Sequence, residues 1–262
     1  VAERLRARGH EVRVGSRSGE PPFDWTDPGT WDAALAGARA VYVSFYPDLA
    51  VPGAADAVRA FASRAVAAGV TRLVLLSGRG EPEAQQSEQV IQESGAQWTV
   101  VRSSWFFQNF SESFMLDTLR FGELPLPVGD VREPFVDAED IADVAAAALT
   151  EDGHAGRVYE VTGPRLMTFA EAVEEIARAA GRELRFVSVP MDAYAEVVAA
   201  SGESDDVVAL IRYLFTEVLD GRNASLTDGV QQALGRPPRD FRAYAERTAA
   251  TGVWNEPAAV GG

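Results

Sequence analysis

The chain has 262 residues, enough for one large domain or two small ones with a sizeable buried core. Its formal net charge is −15, it has no cysteine, and all 24 of its lysine-plus-arginine positions are arginine. This balance excludes disulfide and thiol chemistry, argues against nucleic acid or an anionic membrane surface as a partner, and leaves no lysine for catalysis. No apolar run reaches membrane-spanning length and no signal-peptide pattern is present, so a soluble cytoplasmic protein is expected.

The opening run "VAERLRARG" reads as a helix. Val1, Ala2 and Leu5 form its apolar face, and Arg4, Arg6 and Arg8 lie on a solvated one. Gly9-His10 turns the chain into a strand-like run, Glu11–Arg17. Ala40–Tyr46 and Thr71–Gly78 are nearly continuous apolar runs, as expected for strands buried on both faces. Trp98–Ser104 and Arg157–Gly163 continue the series. Between them, Val58, Phe61, Ala62 and Ala65 follow helical spacing, as do Ile141, Val144, Ala145 and Ala148 after Asp137 as N-cap. A further helix around Val90–Ser94 is expected to end at Gly95.

Beyond Gly163 the pattern changes. Thr168 and Glu171 make a capping box for a helix that closes at Gly181. "RELRFVSVP" is one more strand, and the chain from Met191 is mostly helical, ending in a frayed "EPAAVGG". The alternation implies an α/β fold: a doubly wound parallel sheet, with a smaller, mostly helical C-terminal lobe. The boundary falls at 165/166, giving a nucleotide-binding domain over 1–165 and a substrate lobe over 166–262.

A parallel sheet binds ligands at the carboxyl ends of its strands, and a dinucleotide needs a glycine-rich turn after the first strand. No such turn occurs here. Gly153-x-x-Gly156 lies between helix and strand, and Gly78-x-Gly80 is followed by Glu81-Pro82 rather than a third glycine. The first strand-like run ends in Ser16-Arg17, where an arginine favours the 2′-phosphate of NADP over the ribose hydroxyl of NAD.

Several runs together resemble the NmrA-like family of atypical short-chain dehydrogenases. They are "VAERLRARGHEVRVGSRS", "FDWTDPGTWDAALAGARAVYVSFYP", "AVAAGVTRLVLLSGRG", "SEQVIQESGAQWTVVRSSWFFQNF" and "DIADVAAAALTEDGHAGRVYEVTGPRLMTFAEA". "LGRPPRDFRAYA" is similar to the family's ending, so the likeness covers nearly the whole chain in order. It implies a Rossmann-like sheet and NADP(H), with NAD(H) as the other option. It also implies a strand and glycine loop of roughly 15 residues ahead of Val1. Carried over position by position, the cofactor would meet Arg17, Asp24 and Trp25 (the pair flanking adenine), Ser44, Phe45, Ser77, Gly78 and Ser104. Tyr46, Trp105, Phe106 and Phe107 would line the substrate pocket. The family's proline after the arginine of that strand is replaced by Ser103. Trp105, Phe106, Phe107 and Phe110 read first as core packing between the two lobes and second as a flat apolar pocket for an aromatic ring.

Ordinary short-chain dehydrogenases use a Tyr-x-x-x-Lys pair as proton donor. This chain cannot, and Gln85, Gln86 and Ser87 in the equivalent region are poor donors near neutral pH. A quinone escapes the difficulty, because hydride addition leaves a phenolate-like oxygen of pKa about 10 that water can protonate. The expected function is therefore an NAD(P)H-dependent oxidoreductase of a quinone or polycyclic aromatic compound, with Tyr46 the only phenol near the expected site. An NADP-sensing regulator without turnover is the alternative, and a cofactor-free pathway protein a third. His10 and His154 are far apart and no thiolate exists, so no metal site is expected. A homodimer is compatible with the resemblance.

Overall fold

The computed structural model describes residues 1–256. The expected fraying of "EPAAVGG" concerns 256–262, of which all but Glu256 lie outside the described residues. In chain order the elements are α1 (Ala2–Ala7), α2 (Trp31–Leu35), β1 (Ala40–Val43), α3 (Ala54–Ala67), β2 (Arg72–Gly78), α4 (Pro82–Gln92), β3 (Gln97–Ser103), α5 (Asn109–Glu112) and α6 (Met115–Arg120). There follow β4 (Glu123–Leu126), α7 (Ala138–Thr150), β5 (Arg157–Val161), α8 (Phe169–Ala180), β6 (Arg185–Ser188), α9 (Met191–Ala200), α10 (Asp205–Tyr213), α11 (Gly229–Leu234) and α12 (Phe241–Ala249). They form two compact units. One comprises residues 1–103, 139–161 and 228–236; the other holds 104–138, 162–227 and the chain from 237 on.

The first unit is built on a four-stranded sheet of order β1-β2-β3-β5, parallel throughout. Leu73, Val74 and Leu75 on β2 and Val100 and Val101 on β3 are all buried, so successive side chains are covered on both faces of the sheet. α3 buries Val58, Phe61, Ala62 and Ala65, the face its spacing predicts. These residues join Trp31, Leu35, Val43, Leu73, Leu75, Val90 and Ile91 in one core. α4 ends at Gln92 with Glu93 as C-cap, earlier than its glycine signal suggests; Gly95 instead takes φ +83° in the turn into β3. The opening arginines are less solvated than their spacing implies: Arg4 pairs with Glu139 and Asp143 on α7.

One expected strand is absent. Residues 11–16 have no regular structure. A strand persists only where a neighbour takes up its N–H and C=O groups, and no strand pairs with this run. The Arg13 guanidinium instead donates to the carbonyls of Ala34 (2.8 Å) and Ala36 (2.9 Å) at the end of α2.

The second unit packs Phe107, Phe110, Phe135, Phe169, Phe241, Tyr244 and Trp254 into an aromatic core. α8 has the full capping box of Thr168 and Glu171 and ends on Gly181 at φ +64°. β6 pairs in parallel with β4, from Glu123 against Arg185 to Leu126 against Ser188. β4 has no sequence signal comparable to the other strands: "ELPL" is short and contains a proline, and its partner stabilises it.

Candidate functional site: a groove along the sheet and a carboxyl pair at its end

A groove of about 1210 Å³ runs through the first unit. It is lined by Ala40–Ser44, which is β1 and the residue after it, and by His10–Arg17. Val1, Ala2 and Leu5 of the opening helix line it, and Trp25, Tyr46 and Pro47 sit at its carboxyl end with Asp24 and Arg17. β1 is hydrogen-bonded only to β2, so its other edge has backbone groups to spare.

Trp25 is fixed in place. Its indole N–H donates to the Ser44 carbonyl at 3.2 Å, and its ring packs against Phe45 at 4.9 Å and Phe61 at 5.0 Å. The Asp24 carboxylate accepts from the Thr26 amide (2.8 Å) and hydroxyl (2.7 Å). Those hydrogen bonds, helped by the charge of Arg17, hold its pKa below the usual carboxylate value. The Asp24 carbonyl accepts from the Trp31 indole at 2.7 Å, which ties the Asp24-Trp25 corner to the core. Arg17, Asp24, Trp25, Ser44 and Tyr46 thus share one groove, whereas Phe45 packs behind Trp25 and is absent from its lining.

The other predicted residues lie elsewhere. The Ser77 hydroxyl donates to Glu88 at 2.6 Å, and Arg102 bonds Glu88 (2.8 Å) and Glu160 (2.7 Å). Ser77 therefore belongs to a buried ionic network that joins β2, α4, β3 and β5. Ser104, Trp105, Phe106 and Phe107 belong to the second unit. Phe107 is enclosed by Phe241 and Tyr244, and Trp105 packs on Phe169 and Phe215. The Ser104 hydroxyl is buried without a hydrogen-bond partner.

Sequence reasoning met Glu81 only as the residue that breaks a glycine pattern. In the structure its carboxyl group is 8% exposed, beside the carboxyl end of β2. A Cβ on Gly78 would lie 2.0 Å from Glu81 Oε1, so glycine at that position leaves the space the carboxyl group fills. Glu81 is hydrogen-bonded to Asp48, the residue after Pro47 at the end of the groove. Burial first, then the charges of Asp48 and Glu83, push Glu81 up to about 8. Burial also raises Asp48, against the hydrogen bond from the Ala50 amide (2.8 Å). Among the described residues no three His, Asp or Glu side chains are grouped so as to hold a metal ion.

A parallel sheet whose carboxyl end opens on a groove with a fixed indole and an arginine defines a nucleotide-binding α/β protein. Residues 22–152 match the model of the NAD(P)H-binding family, and the chain belongs to that family. The chain is 31% identical over 258 residues to the NAD(P)H azoreductase of Xenophilus azovorans, covering 95% of this chain and 86% of that protein. Among solved structures, the NADPH complex of the quinone oxidoreductase QOR2 from Escherichia coli has TM-score 0.73 at 22% identity, covering 94% of this chain and 86% of that one. The negative transcriptional regulator NmrA, solved with NAD, has TM-score 0.67 at 16% identity over 96% of this chain and 93% of its own. The Rossmann-like fold and the NmrA-like resemblance therefore stand, as does the NAD(P)H cofactor class, and the similar proteins include an NAD(P)H azoreductase and an NADPH-dependent quinone oxidoreductase. No described helix is long and apolar enough to cross a membrane.

Proposed function

We propose that this chain is an NADPH-dependent reductase of small aromatic acceptors of the quinone type. The observation that carries the reading is the groove itself. Arg17, Asp24 and Trp25 gather at one end of it, beside the strand end that closes with Ser44, Tyr46 and Pro47. These residues suit the adenosine end of the cofactor: an aromatic ring fixed by its own hydrogen bond, an ionised carboxylate and a cation. At about 1210 Å³ the groove is larger than the roughly 300–1,000 Å³ of common ligand sites.

When bound, the reduced nicotinamide supplies a hydride. In this reading Arg17 holds the 2′-phosphate and selects NADPH, because its guanidinium can donate bidentately to a phosphate. Trp25 and Asp24 hold the adenine, and Tyr46, 72% exposed, contacts the acceptor ring. In this reading residues 1–165 carry the cofactor and 166–262 form the substrate lobe. The azoreductase and quinone oxidoreductase relatives support an aromatic acceptor.

The test is a titration of protein of determined N-terminus with NADPH and NADH, followed by NADPH oxidation against a panel of quinones and azo compounds. Binding with turnover is the expected result. Arg17→Ala should weaken NADPH far more than NADH, and equal losses would reject the assigned role. Binding without turnover would favour an NADP-sensing regulator, the reading that the likeness to NmrA supports.

A further inference from the structure

We infer that His10 is a modification site for electrophilic quinones and enones, the one exposed side chain of this chain that they can alkylate. Such compounds carry a C=C bond conjugated to C=O, and they add to thiolates, neutral amines and imidazoles. The sequence contains no cysteine and no lysine, so the two usual side-chain targets are missing along its whole length. Guanidinium groups keep their proton at any pH a protein meets, and phenols ordinarily keep theirs near neutral pH. Carboxylates are abundant here but weakly nucleophilic. The side chains left are two histidines and three methionines.

Burial separates them. Met115 and Met167 are enclosed, and Met191 packs against the aromatic core of the second unit. His154 is also buried. Its Nδ1 is hydrogen-bonded to the Tyr159 hydroxyl at 2.9 Å, and its ring lies 5.7 Å from the Tyr159 ring. His10 differs on each count. It is exposed, and its imidazole has no hydrogen-bond, ion-pair or ring partner among the described residues. Its backbone N–H donates to the Leu5 carbonyl at 3.0 Å, which fastens the turn after α1. His10 also lines the groove of about 1210 Å³, which has room for a flat ring, and Val12, Val14 and Leu149 add apolar lining. The exposed nucleophile and a cavity of sufficient size therefore occur together.

The step balances without an added oxidant. An unprotonated imidazole nitrogen attacks a ring C–H carbon of the quinone and forms a C–N bond. The C=C pair shifts through the conjugated carbonyl to its oxygen, which takes a proton. The attacked carbon then releases its hydrogen as a proton, and that bonding pair makes the ring aromatic as the second oxygen takes a proton. The imidazole gives up its N–H proton to solvent. Nothing else leaves, and the product is a hydroquinone carried on the imidazole. This chemistry is independent of NADPH turnover. Together with the reductase reading, it makes one class of compound both acceptor and modifier, with the modification confined to the groove.

The test is mass spectrometry of the intact chain after incubation with para-benzoquinone at neutral pH. Folded wild type should gain a side-chain adduct that peptide mapping places on His10, apart from any adduct on the α-amine. His10→Gln changes an exposed position, should keep the wild-type circular dichroism spectrum, and should lose that adduct. Wild type unfolded in urea should gain a further adduct on His154, as expected if burial protects it. The tetramethyl quinone has no ring hydrogen to release and should leave no adduct. A folded chain without an adduct on His10 overturns the inference. So does a His10→Gln chain labelled like wild type, or labelling of folded His154 as fast as His10. None of these readouts needs NADPH oxidation, so failure of the reductase reading would leave them unchanged.

Discussion

Replacing Glu81 by glutamine should change how stability depends on pH, independently of any substrate. The folded state holds the Glu81 proton up to about pH 8, whereas an unperturbed glutamate loses it near 4.5. Between those values the native protein binds a proton that the unfolded chain has released. This contribution is fully present below about pH 4.5 and is lost as pH rises through 8. The slope is about 1.4 kcal/mol per pH unit, and the whole window amounts to at most about 5 kcal/mol. Glutamine has nearly the same shape, never ionises and can donate its amide N–H to Asp48. In urea denaturation between pH 4.5 and 9, Glu81→Gln should therefore gain on wild type steadily up to about pH 8 and hold a constant lead above it. Acidic groups other than Asp48 affect both proteins alike, so the difference reports Glu81 together with its neighbour Asp48. Parallel stability curves would refute the buried, protonated carboxyl group.

Arg102→Met should cost roughly 3–5 kcal/mol in denaturant titration at neutral pH, because it leaves the buried Glu88 with only the Ser77 hydroxyl. Gly229→Ala should cost roughly 1–3 kcal/mol and lower the thermal midpoint, since its Cβ would lie 2.1 Å from the Glu160 carbonyl oxygen, a backbone atom that cannot step aside. Thr168→Ala removes half of the capping box of α8 and should cost about 1 kcal/mol in the same assay, with no effect on nucleotide affinity.

The amino-acid sequence by itself determined the features whose cause is local. Long apolar runs such as Thr71–Gly78 specify strands covered on both faces, because no alternation leaves a polar side for water. The Thr168–Glu171 box and Gly181 bound α8 because capping is settled within one helical turn. The Asp24-Trp25 corner came from the family resemblance and Arg17 from its place after a strand-like run, and these residues line one groove. Only the tertiary structure decided what depends on a partner distant in sequence. Glu11–Arg17 has strand composition, but pairing is a property of two chains of backbone, and this run has no strand beside it. "ELPL" has a proline, and β6 makes it a strand. Asp48 carried no signal in the sequence, and Glu81 entered only as the residue that breaks a glycine pattern. The absent side chain of Gly78 leaves room for Glu81, and burial raises its pKa. Ionisation depends on that enclosure, which no stretch of neighbouring residues encodes.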